Sequence, residues 1–140
     1  MDELRTPPLV LLVDDDARSA RMLAQMLRED GYAVDLAMDG PTAMARLSRE
    51  PAPDALVTDV NLATIDGLTV VRYARTRFAG LPVLVVTGYP ELVRTPGLVG
   101  SAPLVFTKPV DYRQLATALT QSLKVLVMGS ATALPGGENC

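Results

Sequence analysis

The chain has 140 residues, 49% of them hydrophobic and 21% charged, with a net charge of −3 and no histidine. This length suits one folded domain, and an acidic balance without a run of Lys or Arg argues against direct nucleic-acid binding. The missing histidines exclude His-ligated metals and Ser-His-Asp or Cys-His catalysis, and the single cysteine, Cys140, excludes an internal disulfide framework.

Residues 1–7 read as a polar N-terminal tail, with no signal-peptide pattern. The apolar run Leu9–Val13 is far too short to cross a membrane and suits a buried strand. Asp14, Asp15 and Asp16 follow it, and Asp16 is placed to cap a helix whose stripe is Ala20, Leu23, Ala24 and Leu27, ended by Gly31. Ala33–Ala37 predicts a second strand, and Ala43, Met44 and Leu47 a second, shorter helix. Ala55–Thr58 predicts a third strand, closed by Asp59. Leu68, Val71, Ala74 and Phe78 form the next helical face, before a fourth strand at Val83–Thr87.

Gly88 to Pro103 holds three glycines and three prolines, which allows at most a turn or two of helix around Glu91–Thr95. A fifth strand is predicted at Leu104–Thr107. Asp111 with Gln114 then resembles a capping box in front of a helix carrying Leu115, Leu119 and Leu123. The domain is expected to span residues 8–126. Residues 127–140 are expected to form a tail, loosely ordered from Gly129 through Pro135, Gly136 and Gly137. Short continuous apolar strands alternating with helices predict an α/β protein, its parallel sheet covered on both faces.

In open parallel sheets ligands gather at the carboxyl ends of the strands. Those ends carry Asp14, Asp15 and Asp16 after the first strand, Asp59 after the third, Thr87 with Gly88 after the fourth, and Lys108 after the fifth. Carboxylates about 4 Å apart repel by roughly 4 kcal/mol at an effective dielectric of 20, so such a cluster calls for a cation. Mg²⁺ suits hard oxygen donors. Each residue also has an ordinary explanation. Asp14–Asp16 can be helix caps, Asp59 a strand-ending turn residue, Thr87 a β-branched strand residue, and Lys108 an exposed lysine before Pro109. Their convergence on one edge is the stronger signal.

Leu11-Leu12-Val13-Asp14-Asp15-Asp16, the Asp59 segment, Val86-Thr87-Gly88 and Thr107-Lys108-Pro109 together resemble the receiver domain of two-component response regulators, over roughly residues 7 to 126. The resemblance implies a flavodoxin-like (βα)5 fold, a doubly wound parallel sheet of five strands in the order 2-1-3-4-5. It implies that Asp59 accepts phosphate from a phosphohistidine on a sensor histidine kinase or histidine phosphotransfer protein. Asp14 and Asp15 match the acidic pair that holds Mg²⁺, and Asn61 matches the position whose backbone carbonyl completes the metal site. Thr87 matches the hydroxyl that bonds the phosphoryl group, and Lys108 the amine that pairs with it. Asp66-Gly67 matches the turn opening the third helix. Asn61 and Tyr89, two residues beyond Asp59 and Thr87, match positions flanking the path of the hydrolytic water.

The chain departs from the family in three places. Ala63 stands where a proline is frequent, Val105 replaces the usual aromatic three residues before the lysine, and the fourth helix is weak; Phe106 is expected to face away from Val105. The expected role is a cytoplasmic, phospho-accepting signalling domain. No enzymatic activity beyond its own phosphotransfer and dephosphorylation and no membrane insertion are expected; these residues leave no room for an attached output domain, so output is expected through a downstream protein, by onward transfer of phosphate, or in a further part of a longer chain. A pseudo-receiver that is never phosphorylated is the main alternative. A haloacid-dehalogenase-like phosphatase fits less well, because only Asp111 and Glu138 follow Lys108 as acids and there is no room for a cap insertion.

Overall fold

The computed structural model describes residues 7–93 and 102–132, with side chains described to residue 124 in the last helix. Five parallel strands, β1 (Leu9–Val13), β2 (Ala33–Ala37), β3 (Ala55–Asp59), β4 (Val83–Thr87) and β5 (Leu104–Thr107), form one sheet in the order β2-β1-β3-β4-β5. Helices α1 (Ala17–Glu29), α2 (Gly40–Leu47), α3 (Gly67–Arg77) and α4 (Tyr112–Thr132) connect or follow them. This is the flavodoxin-like arrangement expected from the sequence.

Strand alternation divides the core in two. Leu11, Val13, Leu56, Val83 and Val85 meet Ala43 and Leu47 of α2 and Val70, Val71 and Ala74 of α3. Val10, Leu12, Ala55, Val57, Leu84 and Val86 meet Ala24 and Leu27 of α1 and Leu115, Leu119 and Leu123 of α4. Burying each large aliphatic side chain contributes about 1.5–3 kcal/mol relative to exposure, so the two clusters clamp the sheet from both faces. Of the predicted α1 stripe, Ala20, Ala24 and Leu27 are fully buried and Leu23 partly so.

Local chemistry sets the helix starts. The Asp39 carboxylate accepts from the Thr42 amide, that of Asp66 from Thr69, and that of Asp111 from Arg113 and Gln114. Among the described residues, a 3₁₀ turn at Pro90–Leu92 is the helical structure between β4 and β5. Residues 94 and 95 of the turns expected around Glu91–Thr95 lie outside the described residues. The helix α4 runs to Thr132, past residue 126 and through Gly129, where loose chain was expected. One glycine costs a helix only about 1 kcal/mol, too little to stop it within an apolar run.

Full burial holds for β1, β3 and β4 but not at the rims. Each rim strand pairs on one side alone, and on β5 Leu104 and Val105 stay 45% and 41% exposed. Phe106 packs into the α1/α4 cluster, opposite to Val105 as expected.

Gly67 is a point of close approach. A Cβ there would lie 1.9 Å from the Asp59 carbonyl oxygen and 2.8 Å from the Val60 Cα, both backbone atoms that cannot swing away. Gly67→Ala is therefore expected to destabilise the fold by about 1–3 kcal/mol, from overpacking. Urea denaturation checks this, and an unchanged midpoint would show that the start of α3 can retreat from β3.

Candidate functional site

The carboxyl ends of β1, β3, β4 and β5 lie side by side, so the strand register determines what meets there. Val13 pairs with Thr58, and one residue further on each chain stand Asp14 and Asp59. Thr87 pairs with Thr107, and Lys108 follows. Asp14, Asp59 and Lys108 continue the alternation that faces α1 and α4, through Leu12, Val57 and Phe106.

The Lys108 ammonium donates to Asp59 Oδ2 at 2.9 Å and lies 3.7 Å from Asp14 Oδ2. Asp59 Oδ1 accepts the Asn61 amide at 3.0 Å, and Asp14 Oδ1 accepts the Asp16 amide at 3.0 Å. Asp14, Asp15 and Asp59 each bring a carboxylate oxygen within 4.8 Å of the others, with Asp14 and Asp59 buried and Asp15 exposed. Three crowded hard oxygen donors, one open to solvent, fit a small divalent cation that keeps some of its water, as Mg²⁺ does.

Asp16 stands apart. It occupies the N-cap position of α1, and its carboxylate accepts the Ser19 hydroxyl, which holds its pKa below the ordinary value. Asp16 thus holds the N-cap position through its backbone, with its carboxylate bonded to a side chain and not to a helix N–H, while Asp14 and Asp15 turn to Asp59. Burial raises the Asp14 pKa, against the lowering by the Asp16 amide and Lys108. Burial also pulls down on the Lys108 ammonium, but the Asp59 hydrogen bond and the Asp14 charge outweigh it and leave its pKa raised.

On the other side of Asp59, Val60, Asn61, Thr87 and Tyr89 line a cleft of about 320 Å³. The Thr87 hydroxyl oxygen accepts the Tyr89 amide at 3.0 Å, which leaves its proton for another acceptor. The Tyr89 side chain is 54% exposed.

The sequence reading did not find three features. Asn61 contributes an N–H to Asp59, Gly67 abuts the Asp59 carbonyl, and a half-open groove of about 530 Å³ runs from Asp14, Asp59 and Lys108 between α1 and the start of α4. Met22 and Met26 of α1 and Val110 and Tyr112 wall this groove. Two methionines four residues apart, on the flank of α1 beside Leu23, were its signal in the sequence.

Residues 10–120 match the family model of the response regulator receiver domain. The response regulator MprA of Mycobacterium leprae (strain TN) is 36% identical over 116 residues, covering 82% of this chain and 50% of that protein. The probable transcriptional regulatory protein TcrX of Mycobacterium tuberculosis (strain ATCC 25618 / H37Rv) is 34% identical over 119 residues, covering 84% and 50%. The chain thus spans about half the length of the curated relatives it matches. Among solved structures, a response regulator receiver protein from Sinorhizobium medicae WSM419 aligns with a TM-score of 0.76 at 28% identity, covering 84% of this chain and 94% of that one. A CheY-like receiver domain protein from Methanospirillum hungatei JF-1 aligns at 0.75 and 26%, with the same coverage.

The raised Asp14 pKa has a consequence for stability. Below the unfolded value, 3.8, the carboxyl is protonated in both states and costs the fold nothing. As the pH rises through the higher folded value, the fold must hold a charge that its burial disfavours, and stability is lost. Asp14→Asn keeps an oxygen for the Asp16 amide and removes that charge. In a chelator-containing buffer it is expected to raise the denaturation midpoint near pH 7, with the gain shrinking as the pH falls toward about 4. A loss of stability near pH 7 that shrinks as the pH falls would show instead that the Lys108 attraction outweighs burial.

Proposed function

The chain belongs to the response regulator receiver domain family, and on that premise we propose that Asp59 is its phospho-acceptor. The observation that carries this is the placing of Asp59: buried, at the end of β3, grouped with the Asp14 and Asp15 carboxylates and hydrogen-bonded to Lys108 at 2.9 Å. The donor is a phosphohistidine on a sensor histidine kinase or histidine phosphotransfer protein. An Asp59 carboxylate oxygen attacks the phosphorus, an O–P bond forms, and the P–N bond breaks with its electron pair left on the imidazole.

Asp14, Asp15, Asp59 and the backbone carbonyl of Asn61 would hold Mg²⁺, which, when bound, neutralises charge on the transferring oxygens. Lys108 supplies a second positive charge where the phosphoryl group arrives, and Thr87 a hydroxyl donor. The Asn61 amide fixes the rotamer of Asp59, so the attacking carboxylate is oriented before a partner arrives. The chain is no enzyme beyond this transfer and the later loss of phosphate.

Output runs through a downstream protein, in the cytoplasm and without direct nucleic-acid contact. The net charge of −3 supports that reading, and so does the fact that no described helix is long and apolar enough to cross a membrane. A receiver unit at residues 8–126 suits the matched span, with the C-terminal part of α4 running beyond it.

Incubation with acetyl phosphate and Mg²⁺ is expected to add one phosphoryl mass to Asp59, and to add none without Mg²⁺ or in Asp59→Asn. Acid-labile phosphate on Asp59→Asn at the wild-type rate would rule out the acceptor, and no phosphate on wild type would favour the pseudo-receiver. Tyr89 lines the cleft beside Asn61, which supports a role for its side chain in obstructing the hydrolytic water. Tyr89→Ala is therefore expected to lose phosphate faster once the donor is removed, followed by mass spectrometry; an equal or slower rate would leave Tyr89 a surface contact.

A further inference from the structure

Lys108 lies where regular structure stops. The strand β5 ends at Thr107 and α4 begins at Tyr112, so Lys108 to Asp111 belong to neither. The Lys108 amide donates to the Thr87 carbonyl at 2.8 Å, which ties the start of this segment to β4. Pro109 has no N–H to contribute.

The far end of the segment is tied differently. The Tyr112 hydroxyl donates its one proton to the Asp30 carboxylate at 2.6 Å, with the Met26 carbonyl as a weaker, shared acceptor at 3.1 Å. Burial and the Asp30 hydrogen bond both raise the Tyr112 pKa, so the phenol keeps the proton this tie requires. Met26 lies in the last turns of α1 and Asp30 is its C-cap, while the same helix begins beside Asp14–Asp16. The segment that presents the lysine is thus fastened to the helix that follows the acids. The Tyr112 ring also packs into the α1/α4 cluster and walls the groove that opens at Asp59 and Lys108.

We propose that the Tyr112 hydroxyl, through Asp30 and Met26, is a positioning group that holds the Lys108 segment at the distance from which the amine reaches Asp59. It touches no reacting atom and acts only through Lys108. This rests on the proposed role of Asp59 for its kinetic consequence, but not for its structural one.

Tyr112→Phe deletes the hydroxyl and keeps the ring. In this variant the Lys108 backbone amide is expected to exchange hydrogen about fivefold faster, while the buried amides of β1 keep their protection. Phosphorylation of Asp59 by acetyl phosphate is expected to slow about fivefold, with the Mg²⁺ midpoint unchanged. Asp30→Ala should reproduce both effects, and Asp30→Asn, which keeps an oxygen acceptor, should restore them. In a Lys108→Ala background Tyr112→Phe should slow the reaction no further.

Unchanged exchange at Lys108 in Tyr112→Phe would overturn the proposal, as would an equal further slowing in the Lys108→Ala background, which would mark a general loss of packing. Absence of phosphate on the wild-type protein would instead refute the acceptor role, and the exchange measurement would still decide on Tyr112.

Discussion

Like charges forced together at one edge of the sheet set the terms for the rest of this molecule. Parallel register delivers Asp14 and Asp59 to adjacent strand ends, and Asp15 joins them, so three carboxylates share a space a few ångströms wide. At such distances each pair repels by about 4 kcal/mol at an effective dielectric of 20. Backbone N–H groups from Asp16 and Asn61 and one ammonium, Lys108, counter this, but they leave the site short of positive charge. Two aliphatic clusters, one on each face, supply the rigidity that keeps the acids from moving apart. The fold thus holds a local electrostatic deficit that the apolar core sustains.

The site straddles the sheet. Asp14, Asp59 and Lys108 continue the strand positions that face α1 and α4, whereas Thr87 continues the Val83 and Val85 series that faces α2 and α3. A group bound at Asp59 therefore has acids and an amine on one flank, and a hydroxyl with its own small cleft on the other. That cleft is backed by a loop in which the Thr87 hydroxyl is held by the Tyr89 amide, with no aromatic at position 105 beside it.

Much of this was legible in the sequence because the signals were local. Five short apolar runs marked the strands, Asp111 with Gln114 marked the start of the last helix, and the strand-end residues identified themselves by chemical type. Other features were hidden for physical reasons. The exposure of Leu104 and Val105 follows from the position of β5 at the rim, and an apolar run looks the same at a rim as at the centre. The persistence of α4 beyond Gly129 depends on the helix already being nucleated by Leu115, Leu119 and Leu123. Contacts between residues far apart in the chain, such as Tyr112 with Asp30 across 82 positions, leave no periodic trace at all.

The contact between Gly67 and the Asp59 carbonyl also bears on how such a chain can diverge. With no space for a methyl group behind Asp59, and with the Thr58 hydroxyl already bonded to the same carbonyl, variation at Gly67 in the floor of the site is costly. Asn61 and Tyr89 are exposed and lie on loops, where replacement leaves the core untouched. Descendants of this sequence can therefore acquire different kinetics by exchanging rim residues while the floor stays the same. The architecture separates what must be inherited from what is free to drift.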